Sequence, residues 1–165
     1  MDKNTGQLQG FFFTVENVKL CIPLENINKV LPLPQLEIVP GCPDYLAGLL
    51  NLAGHIIPVF DLAIRLGLQR KISYTINTPV IICADKSNTS KIGLIVDKIT
   101  DIQFIDKSTL QMQSELNNPV LPFTAVIGNA GSELLINIEY LLKFDLLSNS
   151  MSKINNQLLD TVEKA

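Results

Sequence analysis

A chain of 165 residues with 47% apolar and 18% charged side chains carries enough apolar surface to bury a core of ordinary domain size, which excludes overall disorder. Its 13 basic residues are scattered and the net charge is −3, so no concentrated positive face of the kind nucleic acid requires is present. Cys21, Cys42 and Cys83 lack CxxC spacing and His55 is the single histidine, so no paired-ligand metal pattern exists and no cofactor is expected.

In chain order, the polar start "MDKNTGQLQG" lacks the apolar stretch of a signal peptide, and residues 1–9 are expected to form a flexible lead. No run reaches the ~18–20 apolar residues of a membrane span, which makes the cytoplasm the expected location. "GFFFTV" (10–15) and "VKLCIPL" (18–24) flank the turn-like Glu16-Asn17 and read as a hairpin. "LEIVP" (36–40), "GLLNL" (48–52) and "HIIPVF" (55–60) are strand-like runs separated by Pro and Gly. A polar link at 69–78 precedes "TPVIICA" (78–84), the turn "SNTS" and "KIGLIV" (91–96). "DIQFI" (101–105) and "ELLINI" (133–138) complete the expected strands. Short helices are expected near 61–66, 107–115 and 139–146. The predicted class is mostly β, in small barrels or sandwiches. In the tail, 147–165, Met151, Ile154, Leu158 and Val162 recur at helical spacing. That pattern describes an amphipathic helix, which can pack on its own domain or dock a partner.

An internal repeat organises these segments. "KLCIPLENINKVLPL" (19–33) aligns without a gap on "KIGLIVDKITDIQFI" (91–105), placing Glu25 over Asp97, Ile27 over Ile99 and Val30 over Ile102. "AGHIIPVFDLAIRL" (53–66) echoes "AGSELLINIEYLLKF" (130–144), with Asp61 and Glu139 in register after one extra residue. Two similar β subdomains are expected, the first mainly before ~70 and the second mainly after ~78, with exchange of strands between them left open and a groove between them as a natural recognition surface.

Catalytic patterns are weak. His55 follows Gly54 in a turn, where a solvated ring is the ordinary outcome, and six residues of strand put Asp61 ~20 Å away. Asp61 directly precedes the helix-like "LAIRL" and is expected to cap it; Glu139 holds the matching position before "YLLKF". Gly48, Gly54, Gly128 and Gly131 form neither a dinucleotide nor a Walker loop. Buried thiols in a reducing compartment are the expected state of the cysteines. Recognition rather than chemistry is the function the residues leave.

"FFFTVENVKLCIPLENINKVL", "GLLNLAGHIIPVFDL", "KIGLIVDKITDI" and "ELLINIEYLL", in that order over about 10–146, resemble the CheW-like family of bacterial chemotaxis adaptors. The second block is similar to that family's N-L-R-G-x-I-x-P-V-x-D-L-R signature. The resemblance implies two five-stranded β-barrels packed around a shared apolar core, with short helices and a C-terminal helix. It implies no catalysis and no cofactor. It implies two partners, the helical tips of chemoreceptors and the regulatory domain of a CheA-type histidine kinase, met in the cytoplasm at membrane-associated arrays. By resemblance, Ile27, Lys29, Val30, Ala53 and Ile99 belong to the receptor-binding groove, where plain core packing is the competing role for the isoleucines and Val30. Gly48, Asn51 and Gly54 belong to turns that meet partners, the kinase included. The chain departs from the signature at Ala53 and Ala63, where the family has arginine, and at Lys29, where it commonly has glutamate. Those departures leave a divergent scaffold, with kinase binding or self-association but altered receptor coupling, as the alternative.

Overall fold

The computed structural model describes residues 6–112, 122–128 and 132–147. The first strands are β1 (Gln7–Val15), β2 (Val18–Pro23) and β3 (Ile27–Pro32), with a 3₁₀ turn at Leu24–Asn26. Next come β4 (Leu46–Leu52), β5 (His55–Asp61), α1 (Leu62–Arg65), β6 (Pro79–Ala84) and β7 (Lys91–Ile95). β8 (Lys98–Asp106), β9 (Phe123–Ile127), β10 (Glu133–Ile136) and α2 (Ile138–Leu147) follow. The β1–β2 hairpin closes through Glu16 (φ 47°) and Asn17 (φ 67°), the paired left-handed conformation whose twist suits a two-residue connection.

The strands form two five-stranded sheets, in the orders β8-β1-β2-β10-β9 and β3-β6-β7-β5-β4. These orders correspond position by position under the repeat: β1 with β6, β2 with β7, β10 with β5, and β8 with β3. Each sheet therefore combines two consecutive strands of one half with three of the other. β3 pairs antiparallel with β6, and β8 pairs antiparallel with β1. Sheet membership does not follow the division near 69–78, because β5 and β6 on either side of that link share a sheet.

Both faces of most strands are buried, and alternation sorts their side chains into three cores. Phe11, Phe13, Val15, Leu20 and Ile22 from the first sheet meet Phe60, Ile81, Cys83, Ile92 and Leu94 from the second in a shared core, closed by Leu62, Ala63, Leu141 and Leu142 of the helices. The intervening residues Phe12, Cys21, Ile105, Ala125, Ile127 and Leu135 fill a cluster inside the first sheet. Leu50, Ile57, Val59, Val80, Ile82 and Ile95 do the same inside the second. Opposite edge strands contribute to one interior, β8 and β9 in the first sheet, so each sheet curls towards a barrel.

Several sequence expectations change. Gln7–Val15 is a single strand, so residues 7–9 are not a loose lead. The 36–40 run supplies only an isolated bridge, Glu37 to Leu49. Ile27 and Val30 lie on β3, and β9 is a strand that the sequence reading did not include. Only Lys107–Thr109 of the 107–115 helix forms a 3₁₀ turn; the remainder from 113 lies outside the described residues. The amphipathic tail beyond Leu147 also lies outside them.

Candidate functional site

The exchanged edge strands carry matching irregularities. In β3, Ile27 faces Cys83 and Lys29 faces Ile82, leaving Asn28 as an extra residue; in β8, Ile99 faces Phe13 and Asp101 faces Phe12, leaving Thr100 extra. Asn28 and Thr100 are equivalent positions of the repeat. A bulge shifts the side-chain alternation by one. Ile27 and Val30, three residues apart, therefore share a face, since their partners Cys83 and Ile81 both point into the shared core. Ile99 and Ile102 share the corresponding face through Phe13 and Phe11.

The result is two apolar stripes flanking the shared core. Ile27 and Ile99 are half-buried against it. Val30 is 39% exposed, Ile102 50% and Phe104 61%, so both stripes reach the surface. Ile102 and Phe104 were missing from the residues named from the sequence, although the repeat alignment that pairs Val30 with Ile102 pointed at the first. Lys29 is exposed on β3 but directed with Ile82, away from the stripe.

The remaining sequence candidates lie elsewhere. Ala53 (φ 52°) and Gly54 (φ 84°) form the β4–β5 turn, and Asn51 Oδ1 accepts the Gly54 N–H at 3.0 Å. β4 and β3 are opposite edges of their sheet in hydrogen-bonding order, so Ala53 does not share the β3 edge with Ile27, Lys29 and Val30. Gly48 is not in a turn. It is buried within β4 at φ 155°, where a Cβ would stand 2.7 Å from the Glu37 carbonyl oxygen. His55 is exposed and Asp61 buried at opposite ends of β5, so they do not form a catalytic pair. Ala63 is fully buried in the shared core. The three cysteines are free thiols; burial, then the Glu133 charge, pushes Cys21 up to about 12.

Asp61 caps α1 by accepting the Ile64 N–H at 3.2 Å, as the sequence indicated. Glu139 does not cap α2: Asn137 Oδ1 takes the Tyr140 N–H at 3.0 Å, while Glu139 accepts the Lys86 N–H of the β6–β7 turn at 3.1 Å. The shorter Asn side chain reaches the first helical turn, and the longer Glu reaches across to a neighbouring one.

Asp61 has a second task that sequence reasoning did not find. Arg70 enters from the 69–78 link and donates to both Asp61 oxygens, Nε to Oδ2 at 3.0 Å and Nη2 to Oδ1 at 2.8 Å. Its Nη1 reaches Asp97 and, at 3.5 Å, Glu16. Glu16 in turn accepts the Lys71 and Ile72 N–H groups, each at 2.9 Å, and Tyr74 donates its hydroxyl to Asp61. The link is thereby fastened to turns of both sheets. Burial alone would raise Asp61, but hydrogen bonds from Arg70, Tyr74 and Ile64 outweigh it and hold the carboxyl below its usual range. Burial, together with the hydrogen bond to Asp61, raises the Tyr74 phenol above its ordinary value. Asp61 and Asp97 were both flagged as repeat positions; what local sequence hid was the arginine between them.

Among the described residues no group of three or more His, Cys, Asp or Glu side chains has metal-binding geometry. None of the helices among the described residues is long and apolar enough to cross a membrane. The described surface carries apolar stripes on two equivalent strands and a tight exposed turn.

Residues 9–145 match a family model described as the CheW-like domain. The chain is 26% identical over 147 residues to the chemotaxis protein CheW of Klebsiella aerogenes, covering 87% of this chain and 84% of that one. It is 23% identical over 146 residues to the Helicobacter pylori chemotaxis protein CheW, covering 87% of each chain. Among solved structures, the scaffolding protein TtCheW of Thermoanaerobacter tengcongensis superposes with a TM-score of 0.68 at 20% identity, over 78% of this chain and 88% of that one.

Proposed function

The chain belongs to the CheW-like domain family, and on that premise we propose that it is a non-catalytic adaptor coupling chemoreceptor tips to a CheA-type histidine kinase. The observation that carries the receptor side is the pair of apolar stripes, Ile27 and Val30 on β3 with Ile99, Ile102 and Phe104 on β8. A receptor tip is a helical hairpin, and a helix ridge with apolar residues at i, i+3 and i+4 fits a groove of this kind. The kinase side is assigned to the β4–β5 connection at Asn51 and Gly54, with Gly48 shaping the strand beneath it. The protein acts in the cytoplasm, recruited to receptor arrays.

A second reading, a scaffold that binds kinase but has altered receptor coupling, draws on two particular residues. Ala53 stands where the family signature has arginine, and Lys29 where glutamate is common, so the local charge that selects a partner differs. Titration with a chemoreceptor hairpin fragment and with the kinase regulatory domain separates the two. Binding of both supports the adaptor, and kinase binding without hairpin binding supports the scaffold. Hairpin affinity unchanged by Ile99→Asp, in a protein that stays folded, removes the groove assignment.

A further inference from the structure

The two sheets are equivalent by the repeat, yet their interiors are filled differently. Their helices are capped alike, Asp61 accepting the Ile64 N–H and Asn137 the Tyr140 N–H. Counting four residues back from each cap places Ile57 on β5 where Glu133 stands on β10. The alignment of 19–33 on 91–105 likewise places Leu31 where Gln103 stands. Ile57 and Leu31 pack into the cluster inside the second sheet, and Ile57 is only 2% exposed. Glu133 and Gln103 instead line a cavity of about 340 Å³ on the inner face of the first sheet. A carboxylate and an amide in place of two aliphatic side chains forgo apolar burial, so packing does not account for them.

Phe12 gives this cavity an aromatic wall, and Lys19, Asp101 and Thr14 join its polar lining. Lys19 and Glu133 are directly paired residues of the parallel strands β2 and β10. Adjacent strands lie ~4.8 Å apart, so an ammonium and a carboxylate stand side by side. Neither side chain makes a hydrogen bond or ion pair with another described residue. Asp101 flanks Phe12 on the other side, in register with it on β8. Its carboxylate is already engaged, by the Ile102 N–H and the Gln103 side-chain amide, each at 2.7 Å. Lys19 and Glu133 are the charges left for a ligand.

We propose that this cavity binds a small zwitterion, an α-amino acid. Its carboxylate meets Lys19, its ammonium meets Glu133, and its side chain lies against Phe12. Both charges of an α-amino acid sit on one carbon, which matches a cation and an anion on neighbouring strands. The volume lies at the lower end of the ~300–1,000 Å³ of ligand pockets, which suits so small a molecule. An exposed Lys19–Glu133 pair would stabilise little, so a ligand that satisfies both charges displaces nothing strong.

Titration of the full chain with each of the standard α-amino acids, read by calorimetry and by backbone amide NMR shifts, tests this. At least one is expected to bind saturably and to shift the amides of Phe12, Lys19 and Glu133. Lys19→Gln and Glu133→Gln should each weaken it about tenfold or more. The matching primary amine and carboxylic acid, each lacking one charge, should bind as weakly as those variants bind the amino acid. Glu133→Ile with Gln103→Leu installs the second sheet's packing and should abolish binding, with circular dichroism checking the fold. The two single variants, at polar positions, keep the test independent of how the double exchange folds. No saturable shift with any amino acid, binding that survives the folded double exchange, or an amine that binds as tightly as its amino acid overturns the proposal.

Discussion

Arg70 grips Asp61 with two edges of its guanidinium, and the carboxylate it holds is only 1% exposed. This pair fixes a polar link to the end of β5, and through Asp97 and Glu16 the same arginine reaches turns on β7 and β1. Removing the cation leaves three acids close together with no counter-charge. Arg70→Met is therefore expected to destabilise the fold by about 3 kcal/mol, the usual scale for orphaning a buried charge. Arg70→Lys recovers part of the loss, because a lysine keeps the charge but not the two-pronged geometry. Urea unfolding midpoints measure both.

The same network sets an acid limit. Asp61 has its folded pKa below the ordinary 3.8, so its contribution is fully present above that value and is lost as pH falls through the folded pKa. Asp85, held at about 2 by Thr89, Ser87 and Ser90 against the opposing effect of desolvation, follows the same sign at a lower pH. Stability should fall steadily below pH ~4. Asp61→Asn should start lower and show a shallower fall over that range. Urea midpoints at stepped pH distinguish the two slopes.

Ala53 sits at φ 52° in an open turn, a conformation that costs a side chain with a Cβ about 1 kcal/mol. Ala53→Asn or Ala53→Gly should relieve it and raise the melting temperature by about 2–4 °C. Differential scanning calorimetry reads the shift directly.

Gly48 and Gly54 separate backbone preference from space. Both have positive φ, but nothing lies within 4 Å of a Cβ at Gly54, whereas one at Gly48 strikes the Glu37 backbone at 2.7 Å. Gly54→Ala should cost about 1 kcal/mol and Gly48→Ala about 3 kcal/mol, since the second adds a collision with the covering segment. Chemical unfolding of the pair gives the ranking, and equal losses would refute it.

Phe104, 61% exposed, contributes little to the core, so Phe104→Ser should change stability by less than about 0.5 kcal/mol. Binding of a receptor hairpin should weaken about tenfold, the effect of losing one apolar anchor. Calorimetric titration of the folded variant checks both halves of that expectation.

Sequence by itself determined that this chain is mostly β, duplicated, and lacking a recognisable catalytic pattern. Those properties live in local patterns: alternating apolar runs, turn residues such as Glu16-Asn17, and a repeat that held Asp97 over Glu25. It also identified the cap at Asp61, because capping is settled within one helical turn. Tertiary structure alone decided which sheet each edge strand joins, since β3 and β8 pair with strands of the opposite half and nothing in their own residues specifies that choice. Bulges at Asn28 and Thr100 then decided which side chains face the groove, because one extra residue reverses the alternation from which burial is read. Arg70 is the plainest case. Its partners lie 9, 27 and 54 residues away, and an arginine in a polar link has no local signature of the acids it will meet.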